Sequence, residues 1–122
     1  MELQVETRLG EQLARYLDLA ASQAKLTAAN MANIDTPGYQ AVGMDFNSEM
    51  SRALQSIDQT GSPTDVRVVP EGGLVSRPDG NNVSMDREGM NLSEAQLKFR
   101  TGVALLRQEY QRVTDATHAD SK

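Results

Sequence analysis

The sequence contains no cysteine and a single histidine, His118, in 122 residues. That removes thiolate zinc sites, disulfide frameworks and Cys-His nucleophile pairs at once. Aromatic residues supply only 4% of the chain and hydrophobic residues 39%, which limits the core to that of one modest domain. No stretch approaches the ~18 apolar residues of a membrane span. The opening Met1-Glu2-Leu3-Gln4-Val5-Glu6 carries acids where a secretory signal carries bases, so no cleavable signal is expected. Positive charge is also scarce, with 12 basic against 17 acidic residues and a net charge of −5. Such a chain repels phosphate backbones and anionic lipid, which argues against nucleic acid and direct membrane insertion as partners.

What is present sorts into three parts. All four prolines (Pro37, Pro63, Pro70, Pro78) and seven of the nine glycines lie between residues 35 and 90, and helix formers dominate on both sides. The expected division is 1–34 as an N-terminal helix, 35–90 as an irregular Gly/Pro-rich insert, and 91–122 as a C-terminal helix. The fold class is therefore mainly α, with two long terminal helices paired as a coiled coil around an insert holding short β-strands. Within the insert, 65–69, 72–77 and 82–85 are short β-like runs separated by Gly, Pro and Asn, as hairpin connections would be. Residues 47–62 are polar and Ser/Gln-rich; Met50, Leu54 and Ile57 offer about two helical turns, and order there is not expected.

The terminal segments carry the apolar patterning. Leu9, Leu13, Leu17, Ala20, Ala24, Thr27 and Met31 fall within about 40° of one line on a helical wheel. Leu92, Ala95, Phe99, Val103, Leu106, Tyr110 and Val113 repeat the device at spacings of 3, 4, 4, 3, 4 and 3. These periods predict helices near 6–34 and 91–118 whose seams pack on each other. Asn91 and Glu94 offer a capping-box start to the second helix, and Asn33 with Asp35-Thr36-Pro37-Gly38 closes the first. Proline biases Thr36 toward extended backbone, and Gly38 accepts the positive φ of a type II turn.

Catalytic and metal motifs fail on inspection. The run from Asp79 to Asp86 resembles a calcium loop, but Val83 occupies a ligand position, Ser84 the turn glycine, and Met90 the bidentate glutamate. Asp86 and Glu88 pair without any implied pocket, and His118 suits a helix C-terminus by its charge. Neither an enzymatic centre nor a cofactor, metal or small-molecule site is expected.

Four leucines break the simple hairpin. Leu19 and Leu26 lie ~120–140° from the first seam, and Leu97 and Leu105 ~140° from the second. A lone helix pair leaves them facing water, so contact with further helices is expected, and neighbouring subunits are the natural source. A soluble coiled-coil adaptor or regulator using Leu97 and Leu105 to hold one partner helix is the alternative.

The run Ala29-Asn30-Met31-Ala32-Asn33-Ile34-Asp35-Thr36-Pro37-Gly38-Tyr39 closely resembles the signature of flagellar rod, hook and related axial proteins. The order of features also resembles that family over nearly the whole chain. Met44-Asp45-Phe46 follows the signature soon after, then a short Gly/Pro-rich middle, then Asn82-Val83-Ser84-Met85-Asp86-Arg87-Glu88 leading into the last helix. The brevity of the middle is most similar to proximal-rod members. The resemblance implies a structural, non-enzymatic subunit of the flagellar basal body, carried by type III export without a cleaved signal and assembled in the periplasm. Implied partners are copies of itself, other rod proteins, and the MS-ring adaptor and export-gate proteins. The residues carried over are Asn30, Ala32, Asn33, Thr36, Pro37, Gly38 and Tyr39. Met31 departs from a common isoleucine, a tolerable apolar exchange, and Thr117 stands where a terminal apolar residue is common.

Overall fold

The computed structural model describes residues 7–59 and 65–120. Its frame is two helices, α1 (Arg8–Ala32) and α3 (Met85–Asp120), joined by a segment holding β1 (Val42–Gly43), α2 (Phe46–Asp58) and β2 (Val69–Pro70). At ~1.5 Å per residue α1 is about 37 Å long and α3 about 54 Å. The two run antiparallel. Thr7 meets Glu109, Leu17 meets Gly102, Gln23 meets Lys98 and Asn30 meets Glu88, so one index rises as the other falls.

Each helix begins on a side-chain cap. The Thr7 hydroxyl accepts from Gly10 N at 3.0 Å, the Asp45 carboxylate from Ser48 N at 3.2 Å, and the Ser84 hydroxyl from Arg87 N at 3.3 Å. These oxygens satisfy amide donors that have no partner within the helix. The start of α3 at Met85 corrects the expectation of a start at residue 91. Ser84 is the cap, and Asn91 lies inside the helix. At the other end of α1, Asn33 Nδ2 donates to Ala29 O at 2.8 Å, and Tyr39 N donates to Thr36 O at 3.2 Å. With Gly38 at φ 77°, this is the expected turn with Pro37 and Gly38 at its centre.

The insert differs from the sequence reading in two respects. The polar stretch 47–62 contributes most of a helix, α2, which ends at Asp58 with Gln59 as its C-cap; residues 60–62 lie outside the described residues. Asp45 and Ser48 nucleate it, and it packs on α1 rather than standing alone. The β pairing is also elsewhere. Runs 72–77 and 82–85 form no strand, and the two-stranded antiparallel sheet pairs Val42 with Pro70 and Gly43 with Val69. Proline at an edge is compatible because its missing N–H need not serve the ladder.

Candidate functional site

The signature residues converge on a buried polar knot at the base of the hairpin. Asn30, fully buried in the last turns of α1, uses its whole amide. Its Nδ2 donates to Val42 O at 2.7 Å and to Glu88 Oε1 at 3.0 Å. Its Oδ1 accepts from Tyr39 Oη and from Val42 N, both at 3.0 Å. One side chain therefore ties α1 to the turn, to β1 and to α3. Asn33 serves a local purpose: besides capping α1 it accepts from Thr36 Oγ1 at 3.0 Å. Ala32, Thr36, Pro37 and Gly38 are exposed.

A second asparagine, Asn81, completes the knot and was not singled out from the sequence. It is fully buried, and its Nδ2 donates to Asn33 O at 2.8 Å and Thr36 O at 2.9 Å while its Oδ1 accepts from Val83 N at 2.8 Å. Carbonyls left open at the end of α1 are thus satisfied from the segment that leads into α3. Gly38 N donates to Asp79 O at 2.9 Å, and Gly80, at φ 86°, sits so close that a Cβ there would lie 3.3 Å from Gly38 Cα. The signal available in the sequence was the Asp79-Gly80-Asn81 turn chemistry.

The line of α3 that faces α1 is Glu88, Ala95, Gly102 and Glu109, four buried residues at intervals of seven. A seven-residue repeat keeps one stripe against a partner helix. Small residues at its centre let the helices approach: a Cβ on Gly102 would lie 2.6 Å from Leu17 Cδ2 and 3.1 Å from Tyr16 Cδ1. At the open end Glu109 accepts from Thr7 Oγ1 at 2.9 Å and from Arg112 at 2.7 and 3.1 Å. Arg112, and then the Thr7 hydroxyl, hold the Glu109 carboxyl below its usual range. The predicted seam is corrected accordingly. On α1, Ala20 and Thr27 are buried, while Leu13, Leu17, Ala24 and Met31 are half-buried and Leu9 is exposed. On α3, Ala95 lies on the contact line. Leu92, Val103, Leu106 and Val113 flank it, half-buried, and Phe99 and Tyr110 remain 45% and 51% exposed. Counting only apolar residues draws the stripe to one side, because the true line contains two glutamates and a glycine.

The insert covers one flank of this hairpin. Tyr16 and Phe46 stack edge to face with centroids 5.6 Å apart, and Lys98 Nζ lies 3.7 Å from the Phe46 ring centroid. Glu49, buried on α2, binds Arg52 at 2.6 Å and Arg67 at 3.3 Å, which draws the strand segment onto the helix. This covering splits the four outlying leucines. Leu19 is only 6% exposed, beside Ala53 and Val66, and Leu26 is half-buried near Phe46. The expectation that neighbouring subunits cover these two is corrected: the chain's own insert covers Leu19 and part of Leu26. Leu97 and Leu105 are left 66% and 44% exposed.

The opposite flank is open. A shallow apolar groove of about 600 Å³ runs between the helices, walled by Ala20, Ala24 and Ala28 on α1 and by Leu92 and Phe99 on α3. The covered flank holds a more polar cleft of about 490 Å³, with Glu71, Arg87, Asn91 and Lys98 on its walls. There burial, together with the neighbouring Glu88, pushes the Glu71 carboxyl up to about 7. Among the described residues no three His, Cys, Asp or Glu side chains cluster as a metal site, and no helix is long and apolar enough to cross a membrane.

No family model matches the chain. Curated relatives do. It is 32% identical over 108 residues to the flagellar basal body rod protein FlgB of Yersinia ruckeri, covering 74% of this chain and 79% of the relative. To FlgB of Salmonella typhimurium it is 34% identical over 108 residues, covering 74% and 78%. To FlgB of Cereibacter sphaeroides it is 34% identical over 105 residues, covering 76% and 80%.

Proposed function

The chain belongs to the FlgB family of flagellar basal body rod proteins, and from that membership we propose that it is a structural subunit of the proximal rod, assembling through its terminal helices into the axial drive shaft. As a member of that family it is a component of the flagellar basal body rod. Its placement in the periplasm, delivery by type III export without a cleaved signal, and contacts with copies of itself, other rod proteins and the MS-ring adaptor and export-gate proteins are part of the proposal.

The observation that carries it is the one-sided covering of the hairpin. The insert and α1 shield one flank, while Leu97, Leu105, Phe99 and Tyr110 stay substantially exposed along a single helix. Apolar area left open on two sides of one helix is favourable to cover, at roughly 25 cal/mol per Å². Phe99 lines the groove, whereas Leu97 lies about 160° around α3 from it; contact of the Leu97 side of one copy with the groove of another would be head-to-tail, the kind that propagates instead of closing on itself. This reading requires no reaction centre, only surfaces.

The test is density for isolated basal bodies by electron cryo-microscopy. The proposal expects α1 and α3 of this subunit nearest the rod axis, with the segment 33–84 outside them. Density placing the segment innermost, or the subunit outside the rod, would reject it. A soluble adaptor would instead be absent from the particle.

A further inference from the structure

We propose that Glu71 and Glu88 form a proton-operated latch, in which one carboxyl proton held between them fastens the strand segment of the insert to α3 and its loss releases that segment. This inference does not depend on the rod reading, because it concerns how the chain holds its own insert.

The geometry is specific. Glu88 is fully buried and gives Oε1 to Asn30 Nδ2; Glu71 gives Oε1 to Asn91 Nδ2 at 3.2 Å. Their remaining oxygens, Glu71 Oε2 and Glu88 Oε2, are both sealed from solvent, and no other described group donates to either. The two side chains lie within hydrogen-bonding reach of each other. Written as two carboxylates the arrangement is doubly costly: like charges adjoin, and two buried acceptors lack donors. With a proton on Glu71 the repulsion disappears and the Glu71 hydroxyl donates to the Glu88 carboxylate, a strong charge-assisted bond.

The surrounding charges leave room for this role. From α3, Arg87 opposes the effect by favouring ionised Glu71, but its guanidinium also donates to Gly72 O at 2.5 Å. Lys98 is engaged by Glu94 at 3.1 Å, by Gln23 and by the Phe46 ring. Glu94, also on α3, and Asp45, at the head of α2, add negative charge to the same cleft, though Asp45 is occupied by Ser48. From α1 the cluster receives the neutral Asn30 and Gln23, and from β1 the backbone of Gly43, whose Cβ position lies 3.3 Å from Glu71 Cγ. The cleft is roomy enough to receive an ionised Glu71 that leaves the pair.

The sign follows from linkage. An acid raised in the folded chain adds stability that is complete below its ordinary value near 4.5 and is lost as pH rises through its folded value near 7. Three measurements on the full chain test the latch. In carbon-detected NMR, Glu71 Cδ should titrate near pH 7. In the Glu88→Gln variant it should titrate well below that. Melting of the wild type, relative to Glu71→Gln, should worsen between pH 5 and pH 8.5, since glutamine keeps a donor toward Glu88 at every pH. Glu71 titrating near 4.5 in the wild type, or the two melting curves separating equally at both pH values, would overturn the proposal.

Discussion

Asn30 and Glu88 lie 58 positions apart in the chain and meet at 3.0 Å in the interior, joining the end of α1 to the first turn of α3. A buried polar pair of this sort fixes register: sliding one helix along the other would strand both groups without partners. Replacing Asn30 with Ala should therefore cost about 2–4 kcal/mol, since Val42 N, Val42 O, Tyr39 Oη and Glu88 Oε1 all lose a partner. Urea denaturation measures it. A loss below about 0.5 kcal/mol would mean that the knot is dispensable.

At Gly102 the two helices pack closely. Gly102→Val should destabilise by about 1–3 kcal/mol, because its new atoms fall on Leu17 and Tyr16. Leu17→Ala in the same chain should recover part of the loss. Strict additivity of the two changes would show that they do not share space.

Gly38 and Gly80, two of the three left-handed glycines among the described residues, should differ in tolerance. Gly38 has open space around its Cβ position, so Gly38→Ala bears only the backbone strain of φ 77°, of order 1 kcal/mol. Gly80→Ala adds contact with Gly38 Cα and should lower the melting temperature further. Equal melting temperatures would mean that the loops part freely.

Glu109 fastens the cap of α1 to α3. Its carboxyl is held low, so its contribution is present above the ordinary carboxylate range and is lost as pH falls through its lowered folded value. Glu109→Gln should melt earlier than the wild type at pH 7, with the gap closing toward pH 3. A gap of constant size would assign the loss to packing.

Much of the hairpin was legible because leucine and alanine recur at helical intervals on both termini, and the Thr36-Pro37-Gly38-Tyr39 turn is written in residues whose backbone limits are known. The rotation of α3 was not. Glu88 and Glu109 are buried with Asn30, Thr7 and Arg112 as partners, and those partners are distant in sequence or unremarkable on their own. The helix at Phe46–Asp58 had a local signal in Asp45 and Ser48, but its polar composition pointed to disorder; burial against α1 supplies what composition lacks. Strand pairing of Val42 with Pro70 depends on how the insert doubles back, which no two-residue run encodes. The fates of Leu19 and Leu97 look alike on a wheel and are separated only by where the insert lies.

In the proposed rod, neighbouring subunits complete the exposed face of α3. Because the chain has no cysteine, Leu97→Cys gives a single reporter whose maleimide labelling can be followed in the isolated chain and in assembled basal bodies. Labelling should be rapid in the isolated chain and at least tenfold slower in the basal body. Equal rates in the two would contradict it.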